Sequence, residues 1–390
     1  MKSKKIIAMI LCAAMLVAVL TACGGKTPPE PSSEVPSEIP QDEHDHNAFF
    51  DVAFAAFAPD TVMVTADKYT VTWEELFYYI RGNVVQIMSE ITQGTRVGFS
   101  WSDIALDDMT YSEAVLYVSA DNAMTYKAVE YGAELNGISL SSADYELLQQ
   151  TFDETAESNG GTDEFLKLIW QQSGVRSKAF YDYLLKIDYM ATMCFEDMYG
   201  VDGKDLSDEE AAMFTASDGY LMAKHILRLK SNGEEDALAK SQEILSLLDS
   251  YEGDDFETFF DELILEHGED PGAIANPNGY LFQDGDMVPE FHDACVALEI
   301  GDYSGVVETD LGYHILLRLP VNYDETPTSY ITYGDTRSLR NVTALMLFDS
   351  DIFGWVDSLE PQYTDEYNSI DVEALFAELF SHMSADMNGN

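Results

Sequence analysis

An α+β fold is predicted, with a helical body made from the two ends of the chain and a β-α-α-β-α-β-β unit inserted between them. Three observations predict it. Two near-twin apolar runs, Ala223-Lys224-His225-Ile226-Leu227-Arg228-Leu229 and Gly312-Tyr313-His314-Ile315-Leu316-Leu317-Arg318-Leu319, each carry one histidine in a strand-like context. Amphipathic helical stretches dominate from Trp73 to about Tyr199. After a polar interval following Pro320, the chain ends in aromatic-rich helical segments that make a poor free tail and are expected to pack back on the first helices.

The N-terminus reads as a processing signal over residues 1–22. Lys2, Lys4 and Lys5 precede an apolar run from Ile6 to Leu20, which is followed by Leu20-Thr21-Ala22-Cys23. That run is too short and wrongly flanked for a permanent membrane span. Small residues before a cysteine resemble a bacterial lipobox, which implies lipidation of Cys23 and an extracytoplasmic protein held at the cell membrane by acyl chains. Residues 23–56 are expected to be a flexible tether, because Gly24 to about Asn47 carry Pro, Ser, Glu and Gly with almost no apolar content. Within it Glu43-His44-Asp45-His46 lacks the rigid scaffold of a metal centre and reads as a solvated linker.

Residues 57–217 are assigned to the helical body. Val62–Thr65 and Tyr69–Thr72 flank Ala66-Asp67-Lys68 as a hairpin. Thr72 with Glu75 three residues later is a capping box that opens a helix at Trp73. Helices follow over about 111–135, 142–156, 162–172 and 177–199, with Gly160-Gly161 as a break. The inserted unit, 218–320, has strands at 220–229, 280–282, near Val306 and at 313–319, and helices at 234–248, around 255–265 and at 288–298. Residues 321–390 return to the body through a helical stretch containing Met346, Phe348, Ile352, Phe353 and Trp355, and a final helix from Val372 to about Met383.

The formal net charge of −51 disfavours nucleic-acid and anionic-lipid partners. A hydrophobic fraction of 46% nonetheless marks a folded chain with an acidic, soluble surface. Cys12 leaves with the signal; Cys194 and Cys295 could pair outside the cell, but both sit in apolar helical runs and are expected to be small buried hydrophobes, so no disulfide scaffold is implied. No phosphate loop, nucleotide motif or well-formed metal site is present, and no cofactor is expected.

A single histidine in an apolar strand would read as structural. Two of them closing one small unit point to a site. The segments Ala223 to Leu227, Met287-Val288-Pro289-Glu290-Phe291, Ala297 to Ser304 and Val307 to Ile315 resemble the parvulin-type peptidyl-prolyl isomerases. The complete layout resembles the PrsA-like and SurA-like extracytoplasmic foldases. The resemblance implies a helical SurA-N-like chaperone domain, an isomerase acting on X-Pro bonds, and unfolded secreted proteins as partners. It also implies site residues. Met287, Phe291 and Phe282 would line a proline pocket above a polar floor of His225 and His314. Asp270 would stand near the twisting carbonyl, and Thr309 would join the histidine network.

Other readings of these residues stay open. Met287 and Phe291, four apart, also suit the core face of a helix, and Asp270 before Pro271-Gly272 also suits a turn. Where many parvulins carry a Gly-Gly-Asp-Leu-Gly-Trp/Phe type segment, this chain has Asn276-Pro277-Asn278-Gly279-Tyr280-Leu281-Phe282. That difference leaves two functions in play: an active isomerase, or a non-catalytic holdase chaperone with a degenerate parvulin unit. A solute-binding lipoprotein is disfavoured, because the first region lacks alternating βα units.

Overall fold

The computed structural model describes residues 48–96 and 98–377. The signal at 1–22, Cys23 and the run 43–46 lie outside them. The chain divides into two compact units, one comprising residues up to Cys194 together with Phe348 onward, the other Phe195–Leu347. Mixed helix and sheet are present, and helices are in the majority.

The first unit begins with helix α1 (Ala48–Ala56), inside the stretch expected to be a tether. Its apolar composition explains the difference. Phe54 packs on Phe77 and Trp170 at centroid distances of 5.6 and 5.8 Å, and the Ala53 carbonyl accepts a 3.0 Å bond from Trp73 Nε1. Strands β1 (Val62–Ala66) and β2 (Tyr69–Thr72) form the expected hairpin. Helix α2 (Trp73–Thr92) starts at the Thr72–Glu75 capping box. Its residues Trp73, Leu76, Phe77 and Ile80 are all fully buried, at the spacing of a single helix face.

A short hairpin, β3 (Ile104–Leu106) and β4 (Met109–Thr110), was not expected, and it turns through Asp107 at φ 51°. Helices α3 (Tyr111–Leu135), α4 (Ser142–Ser158), α5 (Thr162–Ser173) and α6 (Lys178–Tyr199) follow, close to the expected bounds.

The end of the chain joins this unit. After α11 (Thr328–Thr332) and α12 (Leu339–Leu359), strand β9 (Gln362–Tyr363) pairs antiparallel with β1 through Val64 and Tyr363, giving a sheet ordered β2-β1-β9. Trp355 of α12 lies over Gly132 of α3, where a Cβ would stand 2.3 Å from its ring. Only glycine admits that indole. Helix α13 (Asp365–Asn368) and a helical turn at 372–377 close the described chain.

In the second unit, helix α7 (Asp208–Thr215) precedes strand β5 (Leu221–Leu229). Helices α8 (Glu234–Asp249) and α9 (Phe256–His267), strand β6 (Tyr280–Phe282), helix α10 (Pro289–Val296) and strands β7 (Val307–Glu308) and β8 (Gly312–Leu319) follow. This is the order read from the sequence. The sheet runs β6-β5-β8-β7 and is antiparallel throughout.

Strand β5 is buried along nearly its whole length, which accounts for its continuous apolar run rather than an alternating one. On one face Leu221, Ala223, Phe282 and Leu316 form a core with Phe291 and Cys295 of α10. On the other, Lys224 reaches Glu257 and Asp261 of α9 at 2.9 and 2.8 Å. The compact unit is wider than 218–320. Arg340 bonds both Asp208 and Asp324, at 2.6 and 2.7 Å, and so fastens the flanking segments together.

Cys194 and Cys295 are both fully buried, as small hydrophobes are. No helix of the described residues is long and apolar enough to cross a membrane.

Candidate active site

Strand register places the two histidines. His225 stands opposite Leu316 and His314 opposite Leu227, so the two are diagonal neighbours on one face of the β5–β8 pair. Their Nδ1 atoms are 3.0 Å apart and their rings are stacked, with centroids 5.3 Å apart. At the outer ends of the pair, His225 Nε2 lies 2.9 Å from Asp270 Oδ2, and His314 Nε2 lies 3.0 Å from Thr309 Oγ1. Asp270 receives two more bonds, from Tyr280 Oη to Oδ2 at 2.5 Å and from the Gly272 amide to Oδ1 at 3.0 Å. All four expected polar residues are therefore brought together. Tyr280, read from the sequence only as a strand residue, is joined to them.

The register also reveals a diagonal. Tyr280 is level with Ala223, two residues short of His225 along β5, and His314 is level with Leu227, two residues beyond it. Thr309 bonds Gly312, which is level with Leu229. The polar groups thus step two residues per strand across the sheet, all on one face. A period-two step keeps every member on the same side of the pleat.

Hydrogen-bond accounting gives this chain a direction. Asp270 is held below the usual carboxylate range, chiefly by the bond from His225, with the Tyr280 and Gly272 bonds adding to it against the opposing effect of burial. An ionised carboxylate only accepts, so the Nε2–H of His225 donates to it. In the tautomer that carries its only proton on Nε2, His225 has a bare Nδ1, which accepts from the Nδ1–H of His314. His314 is neutral because its pKa is lowered to about 4, mainly by burial and further by the His225 ring. Its bare Nε2 accepts from the Thr309 hydroxyl, and that oxygen accepts in turn from the Gly312 amide at 3.3 Å. Every buried ring nitrogen has one partner, as burial away from water requires.

The apolar wall stands over this floor. Phe291 meets both imidazoles edge to face, at 5.3 Å from His225 and 5.6 Å from His314. Phe282 backs Phe291 at 5.6 Å and is 0% exposed, so it supports the wall and presents no surface of its own. Met287 packs, half-buried, against the same core. Asp270 is both things the sequence allowed: its Oδ1 caps the turn at Gly272, and its Oδ2 faces His225.

Comparison with known proteins decides the family of this region. Residues 225–319 match the family model described as Rotamase, PPIC-type PPIASE domain. This stretch is a PPIC-type domain. The chain is 33% identical over 189 residues to the foldase protein PrsA of Halalkalibacterium halodurans, covering 46% of this chain and 53% of that one. It is 34% identical over 151 residues to the foldase protein PrsA of a Geobacillus species, covering 38% and 47%. The chain thus matches about half the length of these relatives. Among solved structures, peptidylprolyl isomerase (PrsA) from Bacillus cereus is similar at 17% identity and a TM-score of 0.28, over 83% of this chain and 99% of that one. The PPIC-type domain begins at His225 itself and ends at Leu319, so both histidines, Asp270, Thr309, Phe282, Met287 and Phe291 fall inside it. Among the described residues no group of three or more His, Cys, Asp or Glu is arranged to hold a metal.

Proposed function

We propose that the chain is an extracytoplasmic foldase, held to the cell membrane by lipid on Cys23, that isomerises X-Pro bonds in secreted proteins and binds their unfolded chains. The observation that carries this reading is the His225–His314 contact, at 3.0 Å between Nδ1 atoms, beneath the ring of Phe291.

Rotating an X-Pro bond has a barrier of about 18–20 kcal/mol, because the partial double bond must be lost, and no bond is made or broken. Catalysis needs a site that favours the twisted amide over the planar one. Phe291 and Met287 provide an apolar wall for the proline ring. The planar amide carries more charge separation than the twisted one, and an apolar wall together with the Asp270 carboxylate beside the carbonyl disfavours it. His225 and His314, saturated by each other and by their outer partners, form a floor that does not compete for the peptide's hydrogen bonds.

In this reading residues 57–217 and 321–390 are the chaperone body, 218–320 the isomerase, and 23–56 the link from the lipid. No cofactor enters the reaction.

The test is a protease-coupled assay on a proline tetrapeptide with the full soluble chain from residue 24. Acceleration is expected, and His225→Ala or His314→Ala should each lower kcat/KM by about a hundredfold, the scale for removing one preorganised polar group. Unchanged rates in both variants would sink the assignment. A wild-type chain that suppresses aggregation yet does not accelerate isomerisation would establish the holdase reading instead.

A further inference from the structure

We infer that Tyr280 is a positioning residue of this site, the terminal donor of the diagonal, which orients Asp270 and thereby sets the direction of the hydrogen bonds through His225 and His314. This rests on the isomerase reading given above.

Four observations carry it. The phenol oxygen lies 2.5 Å from Asp270 Oδ2, the atom that also receives His225 Nε2. The Tyr280 ring stands edge-on to the His225 ring at 5.4 Å, so hydroxyl and ring serve the same pair of partners. The β5–β6 register puts Tyr280 in the diagonal place next to His225 on one side, as His314 is on the other. Finally, a Cβ at position 272 would stand 2.2 Å from Tyr280 Oη, so the loop bearing Asp270 has a glycine where the phenol needs room.

The consequence follows from the accounting of donors. Asp270 Oδ1 is bound to the turn through the Gly272 amide, and only Oδ2 faces the histidines. With Tyr280 in place, Oδ2 has two donors and the carboxylate is fixed and ionised. A phenol pushed above its ordinary pKa, by burial and by this carboxylate, stays protonated and always donates. Without the hydroxyl, Oδ2 has the His225 proton alone. The carboxyl then takes up a proton at higher pH. Once protonated it no longer requires a donor at His225 Nε2, and the order Thr309 to His314 to His225 to Asp270 ceases to be the only one available. The segment 276–282, where this chain departs from the usual parvulin segment, thus supplies a group of its own to the network.

The experiment compares Tyr280→Phe with wild type in the full soluble chain. The variant keeps the ring and its contact with His225. Expected results are a kcat/KM lowered about tenfold through kcat, an acid limb of the rate profile moved to higher pH, and an Asp270 carboxyl that titrates at higher pH by carbon NMR. Nitrogen shifts of His225 and His314 should also show mixed tautomers where wild type shows one. Gly272→Ala, whose methyl must displace the phenol, should move the carboxyl titration the same way.

An unchanged Asp270 titration in Tyr280→Phe overturns the proposal, and so does a lowered melting point with an unmoved acid limb and single tautomers. Asp270→Asn and His225→Ala, assayed alongside, separate the two levels. If neither slows isomerisation the isomerase reading fails, while the NMR titration still decides the part played by Tyr280.

Discussion

The two units bury polar groups in different ways. In the helical unit the core is aromatic and aliphatic, and its polar residues are settled locally or left over. Lys127 pairs with Glu75 at 2.6 Å, and Asn83 Nδ2 bonds Ser119 at 2.9 Å, but Asn83 Oδ1 is buried with no partner among the described residues. In the PPIC-type unit five side chains, three from strands and two from loops, are linked end to end, from Tyr280 to Thr309. A buried polar network costs desolvation and is tolerable only when complete. Among the described residues, isolated unpaired atoms occur in both units, Arg228 Nε and Arg318 Nε among them in the sheet unit, but none belongs to the histidine-bearing diagonal. The sheet unit has placed its polar groups in the middle of its longest strand pair, where apolar residues would pack more simply. That concession marks the second unit as the one with chemistry to protect.

The largest expected effect tests whether packing alone sustains the helical unit. Trp73 is fully buried, meets Phe57 edge-on at 5.2 Å and Phe77 at a tilt at 5.5 Å, and bonds the Ala53 carbonyl. Trp73→Ala should cost about 3–5 kcal/mol in urea unfolding, while acceleration of a prolyl tetrapeptide, which depends on the second unit, persists. Loss of both together would show that the units do not fold independently, and the comparison above would need to be redrawn for the whole chain.

A second expected effect has opposite signs in the two units. In the PPIC-type unit, His314 has a pKa of about 4 against 6.5 when free. Between these values the unfolded chain takes up a proton that the folded one refuses, so stability is full above about pH 6.5 and falls as pH drops to about 4. The whole window is worth about 3 kcal/mol.

In the helical unit, burial raises Asp188 and Asp349 to about 6 from 3.8. Each folded carboxyl binds its proton more readily than the unfolded one. Their contribution is fully present below about pH 3.8 and lost as pH rises through 6, again by about 3 kcal/mol each at most. Calorimetry at pH 7 and pH 5 should therefore show the helical transition rising and the PPIC-type transition falling. Asp188→Asn should remove part of the first shift, and His314→Gln the second. Shifts of the same sign in both transitions would contradict the burial account.

Long elements with strong local signals were readable in the sequence. The Thr72–Glu75 capping box, the helices from α3 to α6 and the order of elements in the sheet unit stand close to their expected places. Elements whose partner is remote were not. Strand β9 is two residues long and exists because β1, some three hundred positions earlier, offers it an edge. Helix α1 looked like the end of a polar tether until Phe77 and Trp170 gave Phe54 something to pack on. The site divides along the same line. His225 and His314 were legible because their strands repeat each other, whereas Tyr280 was not, since its bond depends on where the loop returns Asp270. Two signals pointed to it: Tyr280 has the parity of Phe282, and a glycine follows Pro271 where the phenol must enter.

The smallest expected effect sharpens what a buried charge means here. Lys224, next to His225 in β5, is only 5% exposed and lies between Glu257 and Asp261, whose side chains are 55% and 41% exposed. Adjacent strand residues face opposite sides, so Lys224 belongs to the α9 side and not to the polar diagonal. Its pairs form with half-wet carboxylates, and the attraction gained there roughly offsets the cost of burying the ammonium. Lys224→Met preserves the volume and gives up both terms. Stability should stay within about 1 kcal/mol of wild type, and kcat/KM should be unaltered in the peptide assay. A large loss of activity in a folded Lys224→Met would mean that charge on the α9 side reaches the histidines through the strand, and that the diagonal is not electrically separate from the sheet's other face.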